Sequence, residues 1–349
     1  MMFWNVENFF EGRPHFQDKC NGIAKTILLG GDEFGAVPDL VALAEVENGS
    51  VLRKLVQRTA LRKLDYSIVH YDSPDHRGID CALLYRRSRF RELYSKPCHL
   101  TDSLGRILPT RDILLVVLEP STTGTHGPSA SGKGPVRVPQ GAPGTGIARP
   151  QKLPVALAVT EEDVPPEGRN TRGSIAGGPS RRDGGVSPPG ELPKGVHLHP
   201  EQLAVLVNHH PSKVGRGSEV RRRVAMERLL ELRDSLLAEG ISRIIAVGDF
   251  NEEVTPDEDV QAAYPQGAGT IRFQGRWEKI DGCPVLEGFE AREHIFAPPH
   301  LSTRDSRYPG LKPLRTFSGP RYLGGLSDHY PIILEIQENY LYLKDRNQL

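Results

Sequence analysis

Apolar positions along the 349-residue chain fall into two rhythms. Short apolar runs bounded by polar loops predict strands over residues 40–46, 66–71, 80–85, 112–118, 202–208, 243–249 and 330–336. Helical spacing marks residues 22–29, 51–62 and, most clearly, 219–238. In the last of these, Val220, Val224, Leu229, Leu232, Leu236 and Leu237 are expected to share one face, with Arg and Glu covering the other. Strands interleaved with helices predict an α/β domain. Several of the strands end in an acid, an amide or an imidazole, and the chemistry is expected there.

Between residues 120 and 196 both rhythms stop. Pro and Gly make up 28 of those 77 residues. A segment so poor in apolar bulk cannot offset its ordering entropy by burial, so it is expected to be a disordered insert, with one short extended stretch at residues 153–160. Residues 1–119 and 197–349 would then form a single domain. Within the insert, residues 127–134 read G-P-S-A-S-G-K-G, close to a phosphate-binding loop. The position that should supply a magnesium-holding hydroxyl is Gly134, and no strand or helix flanks the segment, so it is read as a chance match.

Charge changes the picture little. With 44 basic and 44 acidic side chains the net charge is zero, which argues against a protein that grips nucleic acid mainly through a broad cationic surface. Cys20, Cys81, Cys98 and Cys283 are scattered and are expected to be reduced and buried. No apolar run approaches the roughly 20 residues needed to span a bilayer. The default is a cytoplasmic monomer. Secretion stays open, because the first motif begins only a few residues in.

Six short segments carry candidate chemistry. V-G-D-F-N (247–251) ends a buried-looking strand and places Asp249 and Asn251 on one side of extended chain, suited to a hydrated cation or a phosphate. G-G-L-S-D-H-Y-P (324–331) sets Asp328 and His329 behind paired glycines, a carboxylate and an acid/base group beside free backbone N–H donors. A-L-A-E-V-E-N (42–48) puts Glu45 near the end of an apolar strand, on the face shared by Leu43 and Glu47. A carboxylate there is costly unless paired or metal-bound, and Glu47 is an alternative ligand. L-V-N-H-H-P-S-K (206–213) offers Asn208, His209 and His210. Adjacent side chains point to opposite faces and no third ligand has zinc spacing, so one of the histidines is read as an acid/base or phosphate donor. The arginines that follow at 216 and 221–223 read as a solvated helix start. N-V-E-N (5–8) offers Asn5 and Glu7, and W-E-K-I-D (277–281) ends in Asp281.

Taken in chain order with R-G-I-D (77–80) and T-R-D (110–112), these segments resemble the endonuclease/exonuclease/phosphatase superfamily, and its bacterial members most closely. The resemblance runs through the whole chain except the insert. It implies a four-layer α/β/β/α sandwich of two mixed sheets with flanking helices, and a divalent cation, Mg2+ or Mn2+. Carried over motif by motif, it implies that Glu45 is the main metal ligand, with Asp328 and Glu7 near the ion. Asp249 would position or deprotonate water. His329, held by Asp281, would contact phosphate and transfer protons, and His209 matches an acid/base histidine of some branches. Asn5, Asn208, Asn251 and Arg111 would hold substrate.

The expected function is metal-dependent hydrolysis of a phosphate ester, with DNA or RNA among the candidate substrates. Two alternatives stay open: a phosphomonoesterase or lipid-headgroup phosphoesterase on the same fold, and an inactive binding protein.

Overall fold

In this computed structural model the chain opens with β1 (Met2–Phe9), α1 (Phe16–Glu33), β2 (Leu40–Val46), α2 (Gly49–Arg58), β3 (Tyr66–His70) and β4 (Asp80–Arg86). Next come β5 (Phe90–Cys98), β6 (Ile113–Pro120), β7 (Leu203–His209), α3 (Ser218–Ala238) and β8 (Arg243–Asp249). The regular elements of the last third are nearly all strands: β9 (Val260–Ala262), β10 (Ile271–Phe273), β11 (Arg276–Glu278), β12 (Asp281–Glu287) and β13 (Phe289–Ile295). It closes with β14 (Ser302–Arg304), β15 (Leu311–Pro313), β16 (Phe317–Ser318), β17 (Arg321–Tyr322) and β18 (Ile332–Glu338). Residues 1–121, 199, 201–213 and 217–338 are described. Apart from its first two residues, the insert expected at 120–196 lies outside them, with its phosphate-loop near-match and its extended stretch. The chain divides into a unit of Met1–Thr125 with Pro188–Leu349, treated below, and a second, His126–Ser187, outside the described residues.

Two mixed sheets carry the fold. One has seven strands in the order β3-β4-β2-β1-β18-β13-β9, the other five in the order β12-β8-β7-β6-β5. Strands β1 and β2 run parallel, as do β7 and β8, so each sheet presents two strand C-termini at the same end. Alternation assigns the faces. In β2, Leu40, Ala42 and Ala44 pack into the core between the sheets, while Val41 and Leu43 pack with Ile23 and Ile27 of α1 and Leu52 and Leu55 of α2. In β7 and β8, Val205, Val207, Ile245 and Val247 face the shared core, while Leu206, Ile244 and Ala246 pack with Ala225, Leu229, Leu232 and Leu236 of α3. Helix, sheet, sheet, helix follows, because strands apolar on both faces need cover on both.

The helix face expected at 219–238 needs one correction. Val220 is exposed, and the buried stripe runs Arg222, Ala225, Leu229, Leu232, Leu236, a spacing of three and four. Arg222 is admitted because its guanidinium bonds the Ser212 carbonyl and the Glu252 carboxylate. All four cysteines are free and buried. No helix of the described residues is long and apolar enough to cross a membrane.

Candidate active site

Where β1, β2, β7 and β8 end, the regular pleat breaks. The pairing of β1 with β2 shifts register between Asn5 and Phe9, and Glu7 and Asn8 both take left-handed backbone, at φ 44° and 51°. The pairing of β2 with β4 shifts between Ala44 and Val46, and Glu45 between them has φ 63°. A bulge adds one residue to one strand and re-aims its side chain. The sequence places Glu45 on the face of Leu43, against the helices. The bulge overturns this: Leu43 and Val46 both stay in the helix-side core, and the Glu45 carboxylate sits 3.9 Å from Nε2 of His209 in the other sheet.

From the second sheet, His209 and Asp249 are register partners at the ends of β7 and β8, with parity that aims both between the sheets. The Asp249 carboxylate is buried and met from three sides. Asn5 Nδ2 donates to Oδ2 at 2.9 Å, the Asn251 N–H donates to Oδ1 at 2.9 Å, and His209 Nε2 stands 3.7 Å from Oδ2. His329 completes the group. Its Nε2 is 3.8 Å from Asp249 Oδ2, and its Nδ1 is 2.9 Å from Asp281 Oδ2. The turn before β18 holds the ring in place: the His329 N–H donates to Ser327 Oγ, Ser327 Oγ donates to the Asn5 carbonyl, and Trp4 Nε1 donates to the His329 carbonyl.

These contacts set the protonation states. Burial first, and then the charge of Asp281, push the Asp249 carboxyl up to about 7, against His329, Asn5 and Asn251. Burial works against the His329 cation, yet Asp281 and Asp249 hold its pKa well above the ordinary histidine value. His209 goes the other way. Burial, with Arg111 and Arg77 nearby, keeps it neutral far below the usual range. Asp249, Asp281 and His329 lie close enough together to hold an ion, but His329 Nδ1 is bonded to the Asp281 carboxylate, and Asp249 already accepts from Asn5 and Asn251. That arrangement suits a proton relay.

A cation fits better at Glu45. Its Oε2 accepts the Asn8 N–H at 2.8 Å, while among the described residues no hydrogen bond reaches Oε1. The neighbouring Asn5 Oδ1 accepts the Glu7 N–H and keeps a lone pair. Carboxylate and amide oxygens are the donor set of a hard divalent ion such as Mg2+ or Mn2+.

Several expected site residues are already engaged by protein partners. Glu7 and Asp328, expected near the metal, are both turned to Arg315. Its guanidinium bonds Glu7 Oε1 at 2.8 and 3.0 Å and lies 3.0 Å from Asp328, and the Thr316 N–H takes Glu7 Oε2. Arg111, expected at substrate, is buried, with its ends on Asp75 and the His210 carbonyl. Asn208 is fully buried and its amide donates to the Leu206 and Val247 carbonyls, turned from the cleft. The Asn251 amide donates to the His210 carbonyl and is half-buried at the rim. His210 packs edge-on against Phe250 with both ring nitrogens unpartnered. The residues that sequence reasoning missed are Asn8, Ser327 and Arg315. Arg315 sits in no motif, so only its three-dimensional neighbours reveal it.

The model of the endonuclease/exonuclease/phosphatase family matches residues 2–123 and 258–338. The chain belongs to this family. The matched segments contain Asn5, Glu45, Asp281 and His329, whereas His209 and Asp249 lie between them. Among curated protein sequences none matches. Solved structures similar in fold include a family protein from Bacteroides thetaiotaomicron, 12% identical, covering 97% of each chain with a TM-score of 0.49. A mannosyl-6-phosphatase from the same organism is 11% identical, covering 96% of this chain and 98% of its own, with a TM-score of 0.48. TDP2 of D. rerio, complexed with a single-strand DNA product, is 12% identical, covering 96% and 97%, with a TM-score of 0.45.

Proposed function

We propose that this family member hydrolyses phosphodiesters with the help of a divalent cation, and that nucleic acid is its first candidate substrate. The observation that carries the reading is the buried chain Asp281–His329–Asp249 standing beside Glu45. A phosphodiester resists attack by water because its oxygens are negative, so a site must supply positive charge, a base and fixed donors together.

Each need has a residue. Glu45, with Asn5 Oδ1, would hold Mg2+ or Mn2+, which when bound neutralises charge developing on the phosphate. Asp249, with a carboxyl near 7, accepts a proton from water close to neutral pH. Asn5 and the Asn251 N–H aim it. His329, kept protonated by Asp281 and Asp249, offers an N–H and a positive charge to a phosphate oxygen or the departing alkoxide. Neutral His209 has a free Nδ1 and sets the wall between Glu45 and Asp249.

The choice of a diester over a monoester rests on charge. At the reacting phosphate itself, Arg111 and Arg315 are tied to Asp75 and to Glu7 with Asp328, and Arg13, which meets no carboxylate among the described residues, lines a separate cavity beside the β1 bulge. A monoester dianion asks for more free positive charge than this leaves, and a monoanionic diester asks for less. The test is to assay the full chain with Mg2+ or Mn2+ on single-stranded DNA, RNA, bis(p-nitrophenyl) phosphate, sugar phosphates and sphingomyelin. Cleavage of diesters that EDTA abolishes is the expected result. Preference for monoesters overturns the diester assignment, and inertness on the whole panel by a folded protein overturns the hydrolase.

A further inference from the structure

Beside the bulge of β1 lies a cavity that the chemistry above does not use. It is walled by Glu7, Asn8, Arg13, Arg315, Thr316 and Phe317. Its floor is part of the catalytic framework, since the Asn8 N–H holds Glu45 and the Glu7 N–H holds Asn5. The two acids nearest to it are already satisfied by Arg315, and Lys19 adds a third cation from below, reaching the Glu7 carbonyl and Thr316 Oγ1.

Arg13 is different from the other arginines near the cleft. It is exposed and, among the described residues, meets no carboxylate. Its guanidinium lies 6.0 Å from the Phe10 ring centre and 5.9 Å from that of Phe317, within cation–π reach of both, while its N–H groups meet no carboxylate among the described residues. The platform is itself braced: Phe317 packs on Tyr322 at 5.4 Å, and Tyr322 stacks on His15 at 3.9 Å. An unneutralised guanidinium presents a fork that matches phosphate oxygens. The cavity volume of about 170 Å3 accommodates such a group.

We propose that this cavity is a subsite for a second phosphate, carried by the part of the substrate next to the ester that is cut. The inference rests on the phosphodiesterase reading above. Arg13 is a specificity-determining residue, and its partner is a phosphate group, whether on a neighbouring nucleotide or on a small polyol.

The test compares wild-type protein with R13A, both as the full chain with Mg2+, on two substrate pairs. One pair is a thymidine dinucleotide with and without a terminal phosphate. The other is glycerophosphoinositol with and without a ring phosphate. In the wild type the extra phosphate is expected to raise kcat/KM at least about tenfold in one pair, and R13A to remove most of that advantage. The responding pair names the source of the phosphate. No advantage in either pair, or an advantage that R13A retains, overturns the subsite while bis(p-nitrophenyl) phosphate cleavage leaves the hydrolase standing. If no ester is cut, the hydrolase reading falls, and calorimetric titration with inorganic pyrophosphate then decides the subsite alone. Binding weakened about tenfold in R13A sustains it, and equal binding overturns it.

Discussion

The two ends of the sandwich are built from the same strands and could hardly differ more. At one end, β1, β2, β7 and β8 run out into left-handed residues and buried charge. At the other, where β2 and β7 begin, a cavity of about 500 Å3 opens between Met1, Leu40, Leu203, Ile245, Phe289 and Leu334. It is larger than the cavity beside Arg13, yet its lining mixes apolar side chains with Asp39, Arg89, Glu201, Arg243 and Glu335 and includes no acid–imidazole–acid chain like that of the other end. Of the seven non-glycine residues with positive φ among the described residues, four (Glu7, Asn8, Glu45 and Asn251) are at the polar end. Strain and buried charge mark a functional site better than size does, because both must be held in place by the surrounding structure.

The sharpest test of this contrast is at the relay. D249N and H329A are each expected to lower kcat/KM by about a thousandfold, within the range of a lost acid/base group, with urea unfolding midpoints no lower than wild type for D249N. Near-normal turnover in both variants would remove the active-site assignment. Next in size, E45Q is expected to weaken Mn2+ binding at least about tenfold, read by calorimetry, and EDTA to silence the wild type. Unchanged affinity would move the ion elsewhere.

A subtler effect is expected from pH. Since Asp249 acts ionised and its carboxyl sits near 7, kcat/KM should rise through about pH 7 and then level off. Stability without metal should run the opposite way. Asp249 and His329 both have raised pKa values in the folded state, so each binds its proton more tightly there than in the unfolded chain. Their contribution is full below the unfolded values and is lost as pH rises through the folded ones. A metal-free melting temperature that climbs between pH 6 and 8 would contradict this. At the apolar end, L203A should cost about 2–5 kcal/mol in urea unfolding while kcat per folded molecule changes less than about twofold. A large loss of kcat there would erase the contrast between the ends.

Much of the scaffold was legible because β2, β4, β6, β7 and β8 are apolar at almost every position, and that run-length survives folding. β5 was missed because its residues are mostly half-buried and mixed, and β12 and β13 because Gly282, Pro284 and the buried Glu293 interrupt the apolar pattern. At the site, the motifs pointed to Asn5, Glu45, Asp249, Asp281 and His329, residues the fold does bring together. Their orientations were hidden, since face assignment assumes an unbroken pleat and Glu45 lies on a bulge. Partners were hidden as well. Nothing local foretells that Arg315, about 300 positions along the chain, draws Glu7 aside, or that Asn208 folds its amide back onto its own sheet.

The groups proposed to react are divided between two walls: Asn5, Glu45 and His329 stand at the seven-stranded sheet, His209, Asp249 and Asp281 at the five-stranded one. The apolar filling therefore works as a caliper whose jaws are the side chains of the proposed site. Near the tips that filling is thin, made of Ala44, Cys81, Val207 and Val247. A single added methylene at Ala44 would open the jaws, retuning reach and alignment without altering any polar atom.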